Sequence, residues 1–200
     1  YVLSCKTCAQ GQGKAFCYKS LRPSGVTGHV IKVKAGRAEI VVAKELKTNA
    51  MRILDKNKIE YELNTYECDN FTDGKSIADM LGQDYNISFK TLVAVGKSKQ
   101  YYVFVIPVVE ELDLKQAAKT AGEKNIVLLH VKDINQVTGY IRGGCTPIGM
   151  KKQYPSFIHI SAKDYDKIII SGGRLGTQII INPDDLVKVT NGKYADIIIH

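Results

Sequence analysis

The chain has 200 residues, 44% of them hydrophobic and 24% charged, with a formal net charge of +8. That is enough for one domain with an appendage, or two very small domains, built on a buried core. No apolar run approaches the ~20 residues needed to span a bilayer and no signal-peptide pattern is visible, so a cytoplasmic protein is expected.

The head, residues 1–45, holds eight Lys or Arg against Glu39 and Glu45, a net +6 that leaves +2 for the other 155 residues. A basic head on a balanced body suits a polyanion such as RNA, or a solubilising tail. Cys5, Cys8 and Cys17 lie here, with His29 as a fourth conceivable ligand, but the second half of a paired Cys-x-x-Cys motif is missing. Structural zinc is therefore not expected. The five cysteines of the chain, odd in number and irregularly spaced, fit a reducing compartment. Two β-branched runs between Gly28 and Val42 flank Ala35-Gly36 and predict a β-hairpin.

The body opens near Lys47. Thr48 is placed to cap a helix carrying Ala50, Ile53 and Leu54, which Asn57 stops. A strand is expected over Ile59–Tyr66 and a helix over Ser76–Leu81, ended by Gly82. Ile87–Val95 and Tyr101–Val109 predict an antiparallel pair joined by a Gly-Lys-Ser turn. Asp113 caps a helix through Ala121, with Gly122 as its stop. Then come a strand over Asn125–Val131 and a short helix over Asp133–Val137. Further strands are predicted at Phe157–Ile160, Lys167–Ser171 and Gln178–Ile181. Asn182-Pro183 opens a last helix, since Pro suits the first helical position. The expected fold class is α/β of the mixed, α+β-like kind: a partly closed β-sheet or barrel with helices packed outside.

Three segments could carry chemistry. In Phe89-Lys90-Thr91, strand alternation puts Lys90 on one face with Leu92 and Ala94. It is either a pocket cation for a phosphate or carbonyl oxygen, or a strand-end Lys reaching to water. Gly143-Gly-Cys-Thr-Pro-Ile-Gly149 is a loop poor in side chains, which lets a ligand approach the backbone. Ser171-Gly-Gly-Arg-Leu-Gly176 follows an apolar strand and suits an oxyanion or phosphate cradle. Each loop can also be read as a plain turn. His130 and His159 sit within apolar strands, where histidines are usually structural. Cys145 has no nearby His in sequence, so a cysteine nucleophile is not favoured.

Taken in order, Lys47-Thr-Asn-Ala-Met-Arg-Ile-Leu-Asp-Lys-Asn-Lys-Ile-Glu-Tyr, Thr65-Tyr-Glu, Phe89-Lys-Thr-Leu, Ile106-Pro, the Glu-Leu-Asp-Leu-Lys115 run, Thr138-Gly-Tyr and the two Gly-rich loops resemble the YbaK/EbsC family across residues 47–200. The resemblance implies trans-editing: removal of a mischarged amino acid, typically cysteine, from tRNA(Pro). It places the family's central Lys on Lys90, followed by Thr91, as catalytic residues. Substrate binding falls to Tyr66, to Gly143, Gly144, Thr146, Pro147 and Gly149, and to Ser171, Gly172 and Gly173. Some members carry an Asp at the position of Gln178, so this chain departs at one polar pocket contact. The resemblance also suggests prolyl-tRNA synthetase as a partner. No metal, cofactor or membrane is called for. In the cysteine case the substrate's own thiol would attack its ester carbonyl and leave as a thiolactone. Two other readings stay open: a non-catalytic tRNA- or synthetase-binding module of the same fold, and an alanyl-tRNA(Pro) deacylase. The body, residues 46–200, would be the deacylase domain, and the head an extension of unknown role.

Overall fold

The computed structural model describes residues 30–34, 37–41, 47–67 and 73–200. The contacts divide the chain into two compact units, Tyr1–Glu45 and Leu46–His200. In the first, β1 (Val30–Lys34) pairs antiparallel with β2 (Arg37–Val41). The Ala35-Gly36 turn, the three head cysteines and His29 lie outside the described residues.

The second unit begins with α1 (Asn49–Lys56), capped by Thr48 and stopped by Asn57, followed by β3 (Tyr61–Thr65). Helix α2 (Gly74–Leu81) starts two residues before the expected Ser76. Asp73 caps it, its carboxylate accepting from the N–H groups of Lys75 and Ser76 at 3.1 Å each. Next come β4 (Phe89–Gly96), β5 (Tyr101–Pro107) and α3 (Leu114–Ala121), the last running between Asp113 and a left-handed Gly122. Strand β6 is only Ile126–Leu128, because α4 (Val131–Thr138) already begins where the sequence predicts strand. Val131 is exposed, so its β-branched side chain had no sheet to join. The chain then forms β7 (Ser156–His159), a 3-10 turn over Ile160–Asp164, β8 (Ile168–Ser171), β9 (Thr177–Ile181), α5 (Pro183–Thr190) and β10 (Lys193–Ala195). Strand β10, parallel to β7, has no sequence signal, since Lys-Tyr-Ala carries no alternation.

Five strands form a mixed sheet in the order β10-β7-β5-β4-β6, and three form an antiparallel sheet in the order β3-β9-β8. A parallel bridge between Ser88 and Ile169 joins them, so the edge of β4 that meets β6 at its far end meets β8 at its start. No closed barrel results. Alternation gives the larger sheet two apolar faces. On one, Phe104, Ile106 and Ala94 pack with Ala117 and Ala118 of α3, and the Phe104 and Phe157 rings stack at 5.6 Å. On the other, Phe89, Val105 and Ile158 join Met51 and Leu54 of α1, Leu186 of α5 and the inner isoleucines of β8 and β9 in the main core. No helix among the described residues is long and apolar enough to cross a membrane.

Candidate functional site

The parallel bridge sets the site's geometry. The Ile169 N–H donates to the Ile87 carbonyl at 2.7 Å, and from there β4 and β8 run on in the same direction. Lys90 and Ser171 each lie two residues past the bridged pair, on the same face. Ser171 pairs with Gln178, and Gln178 with Asn64. Lys90, Ser171, Gln178 and Asn64 thus form one row across four strands, each half-buried. Their neighbours Phe89, Ile170 and Ile179 point the other way, into the core.

The Lys90 ammonium donates to the Val108 carbonyl at 3.0 Å. Burial draws its pKa below the ordinary lysine value, opposed by the carboxylates of Glu111, Glu110 and Asp73. A partly desolvated cation held by one carbonyl retains donors for an incoming oxygen. Thr91, one residue on, faces the main core instead. Its hydroxyl is buried without a hydrogen-bond partner among the described residues, as is that of Thr146. The two neighbours Lys90 and Thr91 therefore do not present their side chains to the same space.

Gln178 is held more firmly than its sequence context implies. Its Oε1 accepts from Gln83 Nε2 at 2.8 Å and Asn64 Nδ2 at 3.0 Å, and its Nε2 donates back to Gln83 Oε1 at 3.1 Å. Gln83 is set in place just after the left-handed Gly82, where its N–H closes on the Ala78 carbonyl at 2.8 Å. Gln83 and Asn64 carried no signal in the sequence, because only the fold brings them to residue 178.

The two Gly-rich loops touch. Ser171 Oγ donates to the Gly143 carbonyl at 3.3 Å. A Cβ on Gly144 would lie 2.9 Å from the Arg174 Cα, so this contact is backbone on backbone. Gly173 has φ +95°, open to glycine and strained for other residues. The start of α1 fastens both loops: Thr48 Oγ1 donates to the Gly172 carbonyl at 2.7 Å, and Asn49 Nδ2 to the Gly149 carbonyl at 2.7 Å. Tyr140 closes the first loop from below, its hydroxyl donating to the Ile148 carbonyl at 2.7 Å, while Thr146 and Pro147 are buried within it. Tyr66 is tied to the second loop through its N–H, which donates to the Gly176 carbonyl at 2.9 Å. The N–H groups of Gly144 and Gly172 are already committed to the carbonyls of Ile141 and Thr177, so neither is free for an oxyanion.

Thr48 also accepts the Met51 N–H at 3.3 Å, so one hydroxyl caps α1 and holds the second loop. Thr48→Ala is expected to lower stability by about 1 kcal/mol, the usual cost of a lost cap, and to reduce turnover more than Thr48→Ser. Thermal melts beside turnover assays of both variants check this.

The one hydroxyl of the row, that of Ser171, donates to the Gly143 carbonyl, and the row contains no Cys or His. Burial pushes the Cys145 thiol up to about 12, leaving roughly 10⁻⁴ as thiolate at pH 8. Iodoacetamide at that pH is expected to leave Cys145 unlabelled in a peptide mass map. His159 is consumed structurally: Nδ1 accepts the Ser161 N–H at 3.3 Å, and Nε2 faces Asp196 at 3.3 Å. His130 precedes α4 and makes no side-chain cap. No group of three or more His, Cys, Asp or Glu suited to a metal ion occurs among the described residues.

Comparison with known proteins supplies the remaining information. The model of the family described as aminoacyl-tRNA editing domain matches residues 70–189. A protein of Enterococcus faecalis named as Cys-tRNA(Pro)/Cys-tRNA(Cys) deacylase EbsC is 45% identical over 154 residues, covering 76% of this chain and 93% of its own. A crystal structure described as a trans-editing enzyme for prolyl tRNA synthetase superposes with TM-score 0.66 at 22% identity, over 78% of this chain and all of its own. Another, of a protein described only as hypothetical, gives TM-score 0.70 at 21% identity, over 76% and 100% respectively. At these identities the two structures speak for the fold alone.

Proposed function

The chain belongs to the aminoacyl-tRNA editing domain family, and from that premise we propose that it is a trans-editing deacylase that clears cysteine from mischarged tRNA(Pro). The carrying observation is the 45% identity to a relative named for that reaction, over most of both chains. The work is done on tRNA released from the synthetase, in the cytoplasm, with prolyl-tRNA synthetase as the enzyme whose errors it corrects.

The chemistry of the site supports this reading. An aminoacyl ester is already activated, so orientation and a fixed electrostatic environment supply most of the acceleration. A protein nucleophile is unnecessary, which agrees with a protonated Cys145 and a structurally engaged His159. The substrate cysteine sulfur attacks its own ester carbonyl carbon. The bond to the ribose oxygen breaks, that oxygen takes up the proton that the thiol gives up, and the amino acid departs as a thiolactone. Lys90 stabilises the oxygen or phosphate charge near the ester, and the Gly-rich loops hold the terminal adenosine. Selection by the substrate's thiol also solves a recognition problem: a pocket that admits cysteine excludes alanine by only about 1–3 kcal/mol per group.

The test compares Cys-tRNA(Pro), Ala-tRNA(Pro) and tRNA(Pro) carrying S-methylcysteine. Rapid loss of the cysteinyl ester alone is expected. Clearance of the alanyl ester at an equal rate would make the chain an alanyl-tRNA(Pro) deacylase. Tight binding with no turnover on any of the three would make it a binding module.

A further inference from the structure

Away from the Lys90 row, the opposite face of the larger sheet carries a groove that the reaction does not use. Its floor is one register row, where Val95 pairs with Tyr101 on one side and with Val127 on the other. Helix α4 covers the preceding positions of this face, where Val93 packs with Leu129, Ile134 and Val137. The Val95 row lies beyond that cover, and Val127 is 50% exposed. Val95 and Val127 floor a cleft edged by Lys97 and Lys124. Tyr101 floors a second cleft of about 400 Å³ edged by Lys151 and Lys152. Because Val95 and Tyr101 are direct cross-strand partners, the two clefts lie side by side along that row. The Tyr101 ring is braced edge-on by Tyr154 at 5.7 Å, which holds it in place.

All four lysines are exposed, and Asp133 is the one acid lining either cleft. Lys151 donates to the Gln136 carbonyl at 3.1 Å, a neutral partner. An apolar and aromatic floor between paired cations suits a polyanion with stackable or sugar surfaces between its charges. The groove also starts in the right place. Lys151 and Lys152 lie two and three residues past Gly149, the last residue of the first Gly-rich loop. Lys97 follows Gly96, at the far end of β4 from Lys90.

We propose that this groove binds the phosphate backbone of the substrate tRNA as it leaves the pocket, with phosphates at Lys151 and Lys152 and at Lys97 and Lys124, and a sugar or base against Tyr101. This rests on the deacylase reading for the identity of the RNA. It adds a surface that holds the body of the tRNA while the Lys90 row holds the ester. Affinity for the body then raises kcat/KM on whole tRNA without touching the chemical step.

The test uses the full chain and two double variants, Lys97→Gln with Lys124→Gln and Lys151→Gln with Lys152→Gln. A third pair, Lys188→Gln with Lys193→Gln, makes the same charge change at exposed lysines of α5 and β10. Filter binding of uncharged tRNA(Pro) is measured across salt. Turnover is measured on Cys-tRNA(Pro) and on 3′-O-cysteinyl adenosine, which lacks the backbone. Each neutralised phosphate contact flattens the slope of log K against log salt by about 0.7–0.9, so each groove pair should flatten it by about 1.5. Each should also lower kcat/KM on whole tRNA about tenfold and leave the adenosine ester unaffected. Tyr101→Ala should weaken binding with the slope unchanged. Equal flattening in the Lys188 and Lys193 pair would mean that net charge alone is responsible and would overturn the proposal. So would unchanged slopes in the groove pairs, or equal losses on both substrates. Failure of the wild type to cleave either ester would refute the deacylase reading, while the salt slopes would still decide the groove.

Discussion

Lys90→Ala is expected to lower kcat/KM for deacylation by about one to two orders of magnitude while the fold survives. A charge-assisted hydrogen bond contributes roughly 1.5–3 kcal/mol, and each 1.36 kcal/mol is a factor of ten in rate. The Lys90 ammonium is partly desolvated and held by one carbonyl, at 3.0 Å. A contact between it and a substrate oxygen would therefore be screened less than one at the surface. If that contact tightens as charge develops on the ester oxygen, kcat falls together with kcat/KM. Lys90→Arg should restore little, because a planar fork does not replace a compact ammonium at the same carbonyl. Single-turnover deacylation beside a melting curve separates the outcomes. Full activity in Lys90→Ala would remove the central residue of the proposed mechanism and favour a binding module.

Gly144→Ala should be comparably damaging by a different route. The added methyl would stand 2.9 Å from the Arg174 Cα and 3.0 Å from its carbonyl carbon. Backbone cannot rotate aside as a side chain does, so the two Gly-rich loops must part. Overpacking of this kind costs about 1–3 kcal/mol. A misplacement near 1 Å can cost about a hundredfold in rate. The expected result is a melting temperature lower by several degrees, at about 2–4 °C per kcal/mol for a chain of this size, with a 10- to 100-fold fall in turnover. Gly82→Ala is the useful comparison. A Cβ at Gly82 meets nothing within 4 Å, and its φ of +63° carries only local backbone strain. It should lose some stability and keep more of its activity. Equal turnover in Gly144→Ala and wild type would show that the loop contact does not shape the pocket.

Much of this was legible in the residues themselves, for local reasons. Thr48, Asp113 and Asn182 cap helices because their side-chain oxygens satisfy free N–H groups within two or three residues. Gly82 and Gly122 end helices because each adopts the left-handed conformation the stop requires. The β4–β5 pair announced itself by two apolar runs around a short turn. The ordered motifs, spread along the chain, pointed to the editing family, and the match over residues 70–189 agrees.

Tertiary structure alone decided how those pieces meet. Lys90 and Ser171 are 81 positions apart, and one parallel bridge at Ser88 and Ile169 sets them in a common row. No local preference encodes that bridge, since a parallel pairing depends on where both strands end up once the cores have packed. The same holds for the amides of Asn64 and Gln83 that orient Gln178, and for the backbone contact between Gly144 and Arg174. Strand β10 formed without alternation because β7 offered a free edge and the chain leaving α5 passed alongside it. Sequence thus determined most of the elements, many of their ends and the family, because caps, turns and periodicity act over a few residues. The fold determined which face each chemical group shares, because that depends on pairing between residues far apart in the chain.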